Sequence, residues 1–105
     1  CVRVPLFSGH SEALNIEVKK AIDQNAVRDL LSTFPNVKIM DDPSENLYPT
    51  PLDSVDTNDT LVGRIRRDFS VPQGVSLFVV SNNLRKGAAF NAVQIAQELM
   101  SQKLI

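Results

Sequence analysis

Two side chains near the start of this 105-residue sequence could do chemistry together. Arg3 interrupts an apolar run from Cys1 to Phe7, and His10, the only histidine, follows Gly9 seven residues after it. A guanidinium holds a carboxylate or phosphate through two parallel hydrogen bonds. An imidazole changes charge near neutral pH, so it can take a proton and return it. An anion held beside a proton carrier is the chemistry this stretch offers. Each residue also has a plainer use. His10 fits a surface or hydrogen-bonded structural histidine, and Arg3 fits an internal ion pair, because an unpaired guanidinium is costly to bury.

Other polar clusters carry less. Cys1 invites a cysteine–histidine dyad, but nothing around it marks an electropositive nucleophile turn, and a small strand residue fits it better. Asp41, Asp42, Glu45 and Asp53 lack the alternate ligands and central glycine of a calcium loop and read as a solvated connection. Arg64 and Arg66 fall at alternate positions of a strand and so share a face, where ion pairing or a subunit contact is favoured over phosphate. Asn82-Asn83-Leu-Arg-Lys-Gly87 opens a helix. Arg85 and Lys86 there oppose the helix dipole unless an anion or acidic neighbour offsets them. Plain capping and the edge of a cofactor site are both open readings.

With 43% hydrophobic and 22% charged residues, the chain suits one soluble domain or a piece of a larger one. A formal charge of -1 gives no basic field for nucleic acid. No apolar run is long enough to cross a bilayer and no signal-peptide pattern is present, so the expectation is cytoplasmic. One cysteine and one histidine can build neither a disulfide framework nor a structural zinc site, and no metal is expected. The four glycines, at 9, 63, 74 and 87, make neither a dinucleotide fingerprint nor a phosphate loop. Opening on Cys1 inside a strand-like run, the sequence is expected to be the C-terminal part of a longer polypeptide.

Alternation of Val2, Val4 and Leu6 predicts a first strand, with Pro5 marking an edge or bulge. Fully extended, Arg3 and His10 stand roughly 23 Å apart at about 3.3 Å per residue, so a turn at Ser8-Gly9 must bring them together. A second strand is predicted over Glu12–Val18. Asp23 caps a helix to about Thr33, with Ala26, Val27, Leu30 and Leu31 as its apolar stripe. A short strand follows at Val37–Met40, then a long irregular connection from Asp41 to Asp59. Leu61–Arg67 and Val75–Val80 form a hairpin around Pro72-Gln73-Gly74, and a last helix runs from Asn82 or Asn83 to about Gln102. The sum is α+β, with about five strands in a mixed or mostly antiparallel sheet, helices on one face and two helices in all.

Several of these segments together resemble the C-terminal part of bacterial aspartate-semialdehyde dehydrogenases: Val2-Arg-Val-Pro5, Gly9-His-Ser-Glu12, Asp41-Asp-Pro, Glu45-Asn, Tyr48-Pro-Thr-Pro-Leu-Asp53, Val62-Gly-Arg-Ile-Arg66 with Asp68, Asn83-Leu-Arg-Lys-Gly-Ala-Ala89 and Asn91-Ala-Val-Gln-Ile-Ala96. The resemblance runs in order through essentially the whole chain. It implies NADPH-dependent reductive dephosphorylation of L-aspartyl phosphate to aspartate semialdehyde, with release of phosphate, in the synthesis of lysine, threonine, methionine and isoleucine. A cysteine thiolate upstream of this chain would form the thioester. His10 would be the acid/base catalyst, Arg3 would bind the substrate carboxylate, and Asn83 would lie near the nicotinamide of NADP, with Gly87 allowing close approach.

The resemblance further implies that residues 1–81 are the later part of a glyceraldehyde-3-phosphate-dehydrogenase-like catalytic and dimerisation domain. Residues 82–105 would be a C-terminal helix that packs on the NADP-binding domain, which is absent here. The implied partners are the remainder of the same subunit and further copies of it, as a dimer or a dimer of dimers, with no nucleic acid and no membrane. Two alternatives keep other functions open: an N-acetylglutamyl-phosphate reductase, and a non-catalytic paralogue or fragment that serves only assembly.

Overall fold

The computed structural model describes residues 4–105. Four strands and two α-helices follow in the order β1 (His10–Glu17), α1 (Gln24–Ser32), β2 (Val37–Ile39), β3 (Thr60–Asp68), β4 (Gly74–Ser81) and α2 (Phe90–Ser101). A 3-10 turn at Pro51–Ser54 interrupts the long connection, and a π-helical turn at Arg85–Ala89 leads into α2. The four strands form one sheet in the order β1-β4-β3-β2. β4 pairs antiparallel with both β1 and β3, and β2 lies parallel to β3. The expected α+β mixed sheet is therefore present, with its hairpin at β3 and β4.

The predicted fifth strand over the opening run is not found among the described residues. Residues 4 to 9 are irregular, and the first strand starts only at His10. Pro5 has no N–H to give a ladder, and the Leu6 N–H is spent locally on the Val4 carbonyl at 2.8 Å. Gly9 then takes φ +90°, a left-handed turn that other residues adopt only with strain. The turn expected at Ser8-Gly9 thus falls where the strand begins.

Helix α1 follows its expected limits. The Asp23 carboxylate accepts the Asn25 and Ala26 N–H groups at 2.8 and 2.9 Å, which satisfies two of the donors that a helix start leaves free. Val27 is buried with Val62, Ile65, Val75 and Leu77, and Leu31, Val37, Ile39 and Leu14 pack around them. Leu30 remains 54% exposed, so the buried stripe is narrower than the periodicity predicts. On the same helix, the Arg28 guanidinium donates to Asp41 at 2.6 Å and to the Ile65 carbonyl at 2.9 Å. The Asp41 side chain is only 3% exposed, so this ion pair fastens α1 to the connection and to β3 at once.

An irregularity in β3 decides which face each arginine takes. Gly63 pairs with Phe78 and Arg66 with Ser76, so three steps on β3 oppose two on β4. Arg64 occupies the extra position at φ +51°. Strict alternation would put Arg64 on the face of Val62 and turn Ile65 away. With the bulge, Ile65 is 2% exposed and enters the core. Alternate spacing therefore does not give Arg64 and Arg66 a common strand face. Arg64 lies over the Tyr48 ring, 5.7 Å from its centroid, and Arg66 donates to the Arg64 carbonyl at 2.8 Å.

Two carboxylates of the connection, Asp42 and Asp53, serve its own turns. Asp42 accepts from the Ser44 N–H and hydroxyl, and Asp53 accepts from the Thr50 N–H and hydroxyl. No helix among the described residues is long and apolar enough to cross a membrane.

Candidate active site

Three elements converge on His10: the Gly9 turn, the 3-10 turn of the connection and the π-helical turn before α2. His10 opens β1 opposite Ser81, the last residue of β4, so the strand pairing carries it directly beside the start of the π turn. Gly87 lies against its ring. A methyl group at Gly87 would stand 3.2 Å from both Cδ2 and Nε2 of His10, tighter than ordinary van der Waals contact. The bare Cα is what admits the imidazole. The ring makes no side-chain hydrogen bond among the described residues and His10 is exposed, so both nitrogens are open to other groups.

Gly9 is packed from the other side. A Cβ there would stand 3.1 Å from the Ser54 hydroxyl and 3.5 Å from Pro51 Cβ. Ser54 is fully buried and donates its hydroxyl to the Pro51 carbonyl at 2.8 Å. The Gly9 N–H donates to Asn83 Oδ1 at 2.9 Å. This bond spans 74 positions of sequence and ties the histidine turn to the helix start.

The two asparagines thus separate in role. Asn82 is the cap: its Oδ1 accepts the Leu84 and Arg85 N–H groups at 2.9 and 3.0 Å. Asn83 reaches across to Gly9 instead. Because an N–H can only donate, the Asn83 oxygen must face Gly9, and its Nδ2 points elsewhere as a donor. That Nδ2 makes no hydrogen bond among the described residues, so it is available to an acceptor such as a carboxamide oxygen. Asn83 is half-exposed, and Gly87, Ala88 and Ala89 are exposed.

Arg85 and Lys86 find neutral partners, Asn58 Oδ1 at 3.3 Å and Gln94 Oε1 at 2.7 Å. The structure therefore joins His10, Asn83 and Gly87 in one place. The Arg3 assignment, and the Cys1 reading with it, lie outside the described residues. Asn82 or Asn83 is the cap expected from the sequence, and Asn82 takes that part. Sequence reasoning missed the bond from Asn82 to Val55 and the part played by Ser54, which nothing in the sequence marks.

The fold is a mixed-sheet α+β module that carries an exposed imidazole at a strand end, against a glycine of the turn that leads into the last helix. The model of the semialdehyde dehydrogenase dimerisation domain matches residues 1–86, and the chain belongs to that family. It is 45% identical over 105 residues to an aspartate-semialdehyde dehydrogenase of Aquifex aeolicus, covering 100% of this chain and 31% of that protein. It is 49% identical over 108 residues to one of Bacillus subtilis, again covering 100% of this chain and 31% of the relative. The crystal structure of aspartate semialdehyde dehydrogenase II from Vibrio cholerae superposes with a TM-score of 0.85 at 41% identity, covering 94% of this chain and 29% of that one. The chain thus spans about a third of the length of these relatives.

Proposed function

We propose that this chain is the C-terminal part of an aspartate-semialdehyde dehydrogenase subunit and that His10 is its acid/base group. The observation that carries the reading is the contact between the His10 ring and Gly87, with the Gly9 N–H bonded to Asn83. It presents an imidazole with open nitrogens beside an unspent amide donor. In this reading the reaction is NADPH-dependent reductive dephosphorylation of L-aspartyl phosphate. His10 takes the proton of a nucleophilic thiol supplied by the remainder of the subunit and returns a proton to the reacting oxygen. Asn83 Nδ2 donates to the carboxamide of the nicotinamide, and Arg3 orients the substrate carboxylate. When bound, the dinucleotide supplies the hydride.

Residues 82–105 are proposed to pack on the NADP-binding domain. Every apolar side chain of α2 is at least partly exposed, with Val93, Ile95 and Met100 at 50%, 54% and 64%, as a helix awaiting a partner would be. The family's dimerisation role supports a homo-oligomer. The names of the relatives favour the aspartate enzyme over an acetylglutamyl-phosphate reductase.

The test is His10→Asn in the intact subunit, assayed in reverse with aspartate semialdehyde, phosphate and NADP. Turnover is expected to fall about 10²–10⁴-fold with little change in KM. Arg3→Ala is expected chiefly to raise KM. Unaltered kinetics in both variants would defeat the assignment.

A further inference from the structure

Asn82 is bonded to both walls that enclose the histidine turn. Its carboxamide Nδ2 donates to the Val55 carbonyl at 2.8 Å. Val55 follows Ser54 directly, and the Ser54 hydroxyl is the surface on which Gly9 sits. The Asn82 Oδ1 accepts two N–H groups of the π turn, from Leu84 and Arg85. Its own carbonyl accepts the Gly87 N–H at 3.0 Å, five residues on, which is the bond that makes the turn π-helical there. Gly87 in turn is the surface against which the His10 ring rests. Asn82 is only 6% exposed, so each of these groups would be costly to leave unpaired.

We propose that Asn82 is a positioning residue for His10, setting the separation between the 3-10 turn under Gly9 and the π turn beside the imidazole. This rests on the assignment of His10 as the acid/base group. The side chain is suited to the task by chemistry and length. It must donate to one wall and accept from the other. Aspartate accepts only, and would set a buried carboxylate oxygen against the Val55 carbonyl. Serine can accept from the turn but is too short to span to Val55. Glutamine has both functions on a longer arm that would shift the two walls apart. A displacement on the order of 1 Å at a reacting group can cost about 10²-fold in rate.

The experiment is a double-mutant cycle in the intact subunit with Asn82→Ser, His10→Asn and the combined variant, assayed in reverse with aspartate semialdehyde, phosphate and NADP. Asn82→Ser is expected to lower kcat about 10- to 100-fold with KM within about twofold, and to move the acidic limb of the kcat/KM pH profile. In the His10→Asn background the same change should lower kcat no further. Asn82→Asp, which keeps the turn's acceptor, carries the same comparison should the serine variant not fold.

The proposal is overturned if the loss is as large without His10 as with it, if KM rises while kcat holds, or if the pH profile does not move. If His10→Asn itself keeps full turnover, the functional assignment fails and this inference with it. If His10→Asn is crippled and the Asn82 effect is merely additive, only the inference fails.

Discussion

The packed sheet and the turns around His10 are held by different physics. In the sheet, Leu61 and Val80 are fully buried, Val27, Val62, Ile65, Val75 and Leu77 form an apolar cluster under α1, and Arg28 and Asp41 pair at its rim. Around His10, neither the π turn nor α2 contains a buried residue. What joins these turns to one another is a set of amide hydrogen bonds and two glycines pressed against neighbouring groups. Apolar burial is non-directional and scales with area, so the first region resists change through volume. The second depends on distances of a few tenths of an ångström. Substitutions of similar size should therefore cost stability in one region and turnover in the other.

Two glycine-to-alanine changes test that contrast directly, and the larger effect belongs to the scaffold. A methyl group at Gly63 would overlap the Met40 carbonyl oxygen and come within 2.5 Å of Pro49 Cδ. Both belong to packed chain that cannot step aside, so Gly63→Ala is expected to destabilise the intact subunit by about 3 kcal/mol or more in chemical denaturation. Arg28→Ala comes next. It strands the buried Asp41 carboxylate and the Ile65 carbonyl. Removing one partner of a fully buried pair costs about 3–5 kcal/mol. With Arg28 itself 22% exposed, about 2 kcal/mol is expected, with faster amide exchange confined to α1 and β2.

Gly87→Ala is the counterpart in the other region. The added methyl meets the end of a side chain rather than backbone, and the His10 ring can swing away. Alanine also favours helical backbone over glycine by up to about 1 kcal/mol. Stability should therefore hold or rise slightly while turnover drops about tenfold. A drop in stability with turnover intact would mean that the two regions do not differ in the way described.

The same contrast explains what was legible in the sequence. Helix α1, the hairpin and the short β2 follow from periodicity, a capping Asp23 and turn residues, which are local signals of an apolar core. The resemblance carried His10 and Asn83 to one site. The irregular course of residues 4 to 9 and the Ile65 bulge were not legible. Pro5 warned of an irregular edge, but only the register against β4 reveals that Arg64 takes the extra position. Nor could spacing show that Asn83 reaches Gly9, because the bond joins residues 74 apart and depends on the β1–β4 pairing. Polar clasps between distant turns have no sequence period.

The smallest effect sharpens the comparison by pH. Asp53 belongs to the 3-10 turn under Gly9, and its carboxyl is held below the usual carboxylate range, first by the Thr50 hydroxyl and then by the Thr50 N–H. A carboxyl with a depressed folded-state pKa contributes stability that is fully present above its unfolded value, about 4, and is lost as pH falls through the folded value. Wild type should therefore exceed Asp53→Ala in stability near neutral pH, and the gap should close on acidification below about pH 4. Asp42, bonded first by the Ser44 hydroxyl, and Asp68, bonded first by the Ser70 N–H, are depressed as well and weaken both proteins in the same range. Only the difference between the two denaturation curves isolates Asp53. Because Ser54 is the next residue, the His10 turn should loosen with that titration while α1 does not. Amide exchange at Gly9 and in α1, followed between pH 6 and 3, reads the two regions separately, and equal loosening at both would dissolve the distinction.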